Sequence, residues 1–203
     1  MRPIILESCK FQNCKRFIKN IFLSILGNLV LHDEARKQMK PHLRIIVSIL
    51  TSIDEEAILG RTCRVLANVA QDMENSRILK NFGLLLILVK TLNNELKTPK
   101  AKSAAVRAIR IVGSVEKKEN LLSSNAIASV SSLLISEDED VLKAVCKCLA
   151  KFTNHQCDQF VAFQIQGSDG QGFQHLVDRC QHSNQSVWEP ALATLVNLSF
   201  IGK

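Results

Sequence analysis

A four-residue phrase recurs along this chain and constrains its fold more than any other feature. Leu26-Gly27-Asn28-Leu29, Leu66-Ala67-Asn68-Val69 and Leu195-Val196-Asn197-Leu198 share the pattern large apolar, any residue, Asn, large apolar. Two degenerate copies, Ile109-Arg110-Ile111-Val112 and Leu149-Ala150-Lys151-Phe152, lie between them, so the five copies are separated by 40, 43, 40 and 46 residues. Self-similarity at such a period marks a helical solenoid, whose units bury their apolar faces only against their neighbours.

The first residue of each phrase has partners four and eight positions upstream. These sets are Ile18/Phe22/Leu26, Ile58/Thr62/Leu66, Ala101/Ala105/Ile109, Val141/Val145/Leu149 and Val187/Ala191/Leu195. At 3.6 residues per turn they lie along one face, so each is predicted to be the buried stripe of a long helix. A middle helix precedes each of the last four phrases: "HLRIIVSIL", "LLLILVKTL", "AIASVSSLL" and "GFQHLV". Pro41, Gly83 and Asn125 precede three of them and suit a sharp corner, since Gly and Asn accept positive φ and Pro interrupts helical hydrogen bonding. A short helix comes before each corner: "EARKQM", "NSRILKN", "ENLLSS" and "DQFVAFQ". Short, middle and long helix together make a three-helix unit. Pro190 is tolerated only in a first turn, which starts the last long helix near Ser186, and Trp188 is expected to pack rather than to make a contact.

Composition agrees with packed helices. The 203 residues are 46% hydrophobic and 22% charged, Tyr is absent, and only 5% are aromatic, unlike the strands of a β-sandwich. The longest apolar runs, such as Leu84–Val89, fall short of the ~18–20 residues of a membrane span. The start carries no secretory pattern. Seven cysteines, an odd number without a C-x-x-C pair, read as reduced and mostly buried thiols of a cytoplasmic or nuclear protein, Cys63, Cys146 and Cys180 lying inside helical patterns. The net charge of +7 is uneven: residues 1–120 hold 21 Lys/Arg against 11 Asp/Glu, and the remainder 5 against 8.

A unit of this length, with the corner "NSRILKNFG" and the L-x-N-L phrase, resembles the armadillo repeat over nearly the whole chain. HEAT repeats have two helices and lack the Asn phrase. The resemblance implies an all-α fold, an armadillo-type right-handed superhelical solenoid (α-α superhelix). Its units would be 1–31 (partial), 32–71, 72–115, 116–154 and 155–203, the last with an inserted corner loop at "GSDGQG", together one solenoid domain. Within the family, "RTCRVLANVAQDMENSRIL" and "AVRAIRIVGS" look most like the armadillo half of BTB-type adaptors for cullin-3 ubiquitin ligases. "PIILESC" reads as a middle helix without its short one, and neither end supplies an obvious polar cap, so the chain is expected to be part of something longer.

In armadillo proteins the long helices line a concave groove, and their Asn side chains hydrogen-bond the backbone of an extended peptide. An amide suits this because it is both donor and acceptor. By resemblance, Asn28, Asn68 and Asn197 would form such a ladder, broken at Ile111 and Lys151. Alternatively each is a solvated helix residue. Four positions before each of these stand Ser24, Arg64, Arg107, Lys147 and Ala193. Importin-α has Trp there for the lysines of import signals; with no Trp and a basic stripe, an import receptor is disfavoured. The stripe is similar instead to the basic groove of β-catenin, which implies that Arg64, Arg107, Lys147 and Lys151 pair with Asp, Glu or phosphoserine of a partner. Lys143, Lys147 and Lys151 could equally answer Asp138 and Asp140 within their own segment.

No other chemistry emerges. "GSDGQG" lacks the Lys-Ser/Thr ending of a phosphate loop and follows no strand. The five histidines sit at no metal-ligand spacing, and "SEDED" at Ser136–Asp140 reads as the cap of the next helix. No catalytic residue, metal or cofactor is implied, and an enzyme is not expected. Three functions remain open: a protein-interaction scaffold binding an extended acidic or phosphorylated segment, with ubiquitin-ligase components among its partners; a nucleic-acid binder, disfavoured by the absence of an aromatic stacking platform; and a purely architectural subunit.

Overall fold

The computed structural model describes residues 16–52, 55–93, 98–154 and 158–201, and among them every regular element is helical. In chain order these are α1 (Arg16–Leu29), α2 (Asp33–Gln38), α3 (Leu43–Ser52), α4 (Glu56–Val69), α5 (Met73–Asn81), α6 (Leu84–Asn93) and α7 (Pro99–Gly113). They continue as α8 (Lys118–Ser123), α9 (Ala126–Ser131), α10 (Glu139–Thr153), α11 (Gln159–Gln166), α12 (Gly172–Cys180) and α13 (Gln185–Ser199). Every third helix is long. The long helices α1, α4, α7, α10 and α13 stack in chain order, each on the next, and α6 and α9 pack on each other and on the long helix that follows. The segment "PIILESC" and the final Gly202-Lys203 lie outside the described residues.

The predicted stripes form the core. Ile58, Thr62 and Leu66, then Ala101, Ala105 and Ile109, then Val141, Val145 and Leu149 are all buried, as are Val187 and Ala191, with Leu195 half-buried. Thr62 fits this apolar seam because its hydroxyl donates to the Ile58 carbonyl at 2.8 Å. The first set differs: Leu26 is buried, but Ile18 is 54% exposed, because among the described helices α1 is flanked by a long helix on one side only.

Local chemistry sets the ends. Asp72, Thr98, Asp138, Asp158 and Asn184 are N-caps whose side chains accept from backbone N–H groups of the first turn. The Asp138 carboxylate accepts from Val141 N–H at 2.9 Å, and the Asp138 backbone N–H donates to Ser136 Oγ, so "SEDED" is a capping device. Gly83 (φ 66°) and Asn125 (φ 54°) turn their corners in the left-handed region, and Pro41 lies in a 3-10 turn over Lys40–His42. The "GSDGQG" corner uses positive φ at Gly167 and Gly170 and is closed by Gln166 Nε2 donating to the Gly170 carbonyl.

Two expectations need correction. The middle helix "AIASVSSLL" ends at Ser131 and finishes as a 3-10 turn over Ser132–Ile135. The last long helix starts at Gln185, next to the expected Ser186, but Pro190 stands in its second turn rather than its first and leaves the Ser186 carbonyl without a helical donor. Trp188 is half-buried.

Successive layers are also tied along the short-helix edge. Lys40 pairs with Glu74, Lys80 with Glu116 (3.0 Å) and Lys118 with Asp158 (2.6 Å). Asn75 donates to the Arg36 carbonyl at 2.7 Å and Gln164 to the Leu122 carbonyl at 2.8 Å. At Asp158, burial alone would raise the carboxyl pKa, but the hydrogen bonds from Lys118 and from the Val161 and Phe160 N–H groups outweigh it and hold it below its usual range. A carboxylate depressed by folding contributes stability that is complete above its unfolded pKa of about 3.9 and is lost as pH falls through the lower folded value. Asp158→Asn keeps a capping side chain but removes the charge, and is expected to lower stability by about 0.3–1 kcal/mol at pH 7, with the gap to wild type closing below about pH 4. Thermal melts from neutral to acid pH check this, and a gap independent of pH would contradict the linkage.

Candidate functional site

A groove of about 1610 Å³ crosses the solvent-facing stripes of α1, α4 and α7. Its wall carries Ser24, Gly27 and Asn28 from α1, Gly60, Arg61, Arg64, Ala67 and Asn68 from α4, and Lys100, Ala104, Arg107, Arg110 and Ile111 from α7. The ends of the middle helices supply one rim, with Leu50 and Thr51 from α3 and Ile87, Lys90 and Thr91 from α6. Six basic side chains, Arg61, Arg64, Lys90, Lys100, Arg107 and Arg110, face it against two acids, Glu55 and Glu56.

The arginines are positioned by neutral groups. Arg61 reaches back to α1, where Nε donates to Ser24 Oγ and Nη1 to Asn20 Oδ1, both at 2.8 Å. Arg64 also leans on α1, its Nη2 donating to Asn28 Oδ1 at 3.1 Å. Its guanidinium fills the space beside Gly27, where an added Cβ would meet Nη2 at 2.9 Å. Arg107 folds along its own helix, with Nε to the Ser103 carbonyl (3.2 Å) and Nη2 to Ser103 Oγ (3.0 Å). Among the described residues none of these guanidiniums makes an ion pair. Each is fixed in direction while its charge stays uncompensated.

The amides are partly committed to the fold. Asn68 Nδ2 donates to the Gly27 carbonyl at 3.1 Å, and Asn197 Nδ2 to Thr153 Oγ1 at 3.0 Å, each to the preceding layer. With Asn28 Oδ1 taken by Arg64, what the groove offers is the amide N–H of Asn28 and the carbonyl of Asn68. The Asn phrase therefore serves layer stacking first. Asn28 and Asn68 thus each meet a ligand with one half of the amide free and the other already engaged once by the neighbouring layer.

Of the predicted site residues, the groove brings together Asn28, Arg64, Asn68 and Arg107. Lys147 and Lys151 continue the exposed stripe on α10, stacked on α7, and Asn197 lies farther along on α13; none of the three lines the groove. Lys147 and Lys151 make no ion pair among the described residues. Lys143 is removed from the stripe by Glu139 at 2.5 Å and Asp140 at 3.8 Å, and its hydrogen bond with Glu139 raises its pKa. Arg61, Arg110, Lys90 and Lys100 were not anticipated. Three of them lie three or seven residues from Arg64 or Arg107, offsets that share a helical face as surely as a step of four.

Among the described residues, the thiols of Cys63, Cys146 and Cys148 are buried in the core. Burial pushes Cys63 and Cys146 up to about 12 and raises Cys148 as well, which removes the thiolate that nucleophilic or metal chemistry needs. Among the described residues no group of three or more His, Cys, Asp or Glu could hold a metal ion, and no helix is long and apolar enough to cross a membrane.

Stacked three-helix layers whose long helices share one wall define an armadillo-repeat protein. The family model for ARMC5 (ARM_ARMC5) matches residues 18–203, and the chain belongs to that armadillo family. No curated protein matches. Among solved structures, an engineered protein is similar with a TM-score of 0.81 at 20% identity, over 98% of this chain and 80% of that one. A designed armadillo repeat protein in complex with peptide (KR)4 gives 0.78 at 19% identity, over 96% and 80%. Computationally designed armadillo repeat proteins for modular peptide recognition give 0.78 at 18%, over 96% and 81%.

Proposed function

We propose that this chain is a protein-interaction scaffold that holds an extended, acidic or phosphorylated partner segment in the groove of α1, α4 and α7. The observation that carries the reading is the six groove cations facing two acids, with three of the four arginines, Arg61, Arg64 and Arg107, fixed by neutral groups rather than neutralised. Guanidiniums held in this way form strong charge-assisted bonds to carboxylate or phosphate, because their orientation is already set. The groove geometry is supported by the designed neighbour that carries peptide (KR)4. A wall of the sign seen here repels that Lys/Arg peptide and favours its opposite. The resemblance to BTB-type cullin-3 adaptors supports a segment belonging to a protein that a ubiquitin ligase modifies. Buried free thiols support a reducing compartment, the cytoplasm or the nucleus.

The test is fluorescence anisotropy with a labelled peptide of Asp, Glu and Ser. Arg64→Glu combined with Arg107→Glu is expected to weaken binding by about 100-fold or more, since charge-assisted contacts contribute roughly 1.5–3 kcal/mol each. The helical circular-dichroism signal stays unchanged, as both side chains are exposed. Unaltered affinity in the double variant would remove the reading. Retention of RNA or duplex DNA at low salt, without peptide binding, would transfer the cations to a nucleic-acid function.

A further inference from the structure

Resting on that reading, we infer that the third layer of the groove is an apolar subsite, with Ile111 as its specificity-determining residue. The segment it selects carries one large apolar side chain among its acids. Ile111 occupies the place that Asn28, Asn68 and Asn197 hold on three of the other long helices and Lys151 on α10, yet it lines the same groove as Asn28 and Asn68, half-buried. The substitution removes both halves of an amide. A ligand backbone pressed against this point finds neither donor nor acceptor, and a peptide group desolvated there without a partner is costly. What the uncovered part of a half-buried isoleucine accepts is an apolar side chain, with the ligand backbone left in water.

The surroundings agree. Ile87, half-buried on α6, also lines the groove, as do the small residues Ala101 and Ala104 on α7. Arg107 stands one turn before Ile111, and Arg110 is its neighbour in sequence; both line the groove. An apolar contact flanked by two cations fits a hydrophobic residue with acids beside it and discriminates against a uniformly acidic chain. The first two layers, by contrast, retain the Asn28 donor and the Asn68 acceptor for a ligand backbone. Recognition therefore changes character along the groove, from main chain to side chain.

The experiment walks a single Leu through every position of the labelled Asp/Glu/Ser peptide and measures anisotropy with wild type, Ile111→Asn and Ile111→Val. In wild type, Leu at one register is expected to tighten binding about tenfold over the all-polar peptide. Ile111→Asn is expected to lose that preference and to bind the all-polar peptide at least as tightly as wild type, because the amide supplies the backbone partner that isoleucine lacks, and Ile111→Val retains most of the Leu preference. Asn at this position is already compatible with the fold, as Asn28 and Asn68 show, and circular dichroism confirms that each variant is folded. Binding of the all-polar peptide with no Leu preference at any register overturns the subsite alone. A Leu preference that survives Ile111→Asn overturns the role of Ile111. Failure of every peptide to bind wild type overturns both the subsite and the groove reading.

Discussion

Truncating Ile109 to alanine is expected to lower the free energy of unfolding by about 2–5 kcal/mol, the range for removing a large aliphatic side chain from a tight core. Ile109 is fully buried on α7, the middle of the five long helices, which packs on α4 before it and α10 after it. The void cannot collapse easily, because the seam on both sides is made of residues with no exposure: Leu66 on α4 and Leu149 on α10. In a solenoid each layer is stabilised only by its neighbours, so weakening a central layer uncouples the two halves. Denaturant titration is therefore expected to show a lower midpoint and a shallower or biphasic transition. A loss below about 1 kcal/mol would mean that the layers are not close-packed at this seam.

Gly172→Ala is expected to be comparably damaging for the opposite reason. An added Cβ would stand 1.8 Å from the carbonyl oxygen of Ile165 and 2.8 Å from its carbon. Both belong to backbone, and Ile165 is a fully buried anchor of α11, so no flexible side chain can give way. The corner has no slack either, since Gly167 and Gly170 already use positive φ and Gln166 ties the turn to Gly170. Overpacking costs about 1–3 kcal/mol where side chains can adjust, and a backbone collision is expected to reach or exceed the top of that range. The damage should concentrate between α11 and α12. Limited proteolysis is expected to cut near residues 167–171 in the variant and not in wild type, and an unchanged midpoint and cutting pattern would show that the corner can open.

The layered fold was legible in the sequence because its cause is periodic. Steps of four along Ile58/Thr62/Leu66 or Val141/Val145/Leu149 find the buried stripe of a helix with or without its neighbours. Corners at Gly83 and Asn125 were equally readable, since few residues accept their φ. The helix start near Ser186 was readable, with Asn184 Oδ1 capping it by accepting Ser186 N–H, but Pro190 was not confined to the first turn, because packing outweighs one missing hydrogen bond. The groove was legible only as a line. Steps of four through Arg64, Asn68 and Arg107 trace a ridge one residue wide, whereas a groove spans the arc that also admits Arg61, Arg110 and Lys100, and Lys90 enters from another helix. The use of the Asn amides was not legible at all, because whether Nδ2 faces a ligand or the Gly27 carbonyl depends on how closely two layers approach.

The way Arg61 and Arg64 are seated has a thermodynamic corollary. Both are oriented by α1 rather than by their own helix, through Ser24, Asn20, Asn28 and the gap beside Gly27. Fraying of α1 from α4 would set two guanidiniums swinging at once and lower the affinity for any anion that needs them together. By linkage, a bound anion must strengthen the α1–α4 seam by the same free energy that the seam contributes to its binding. On the proposed reading, ligand and scaffold would thus clasp each other, with α1 as a latch that an occupied groove holds shut.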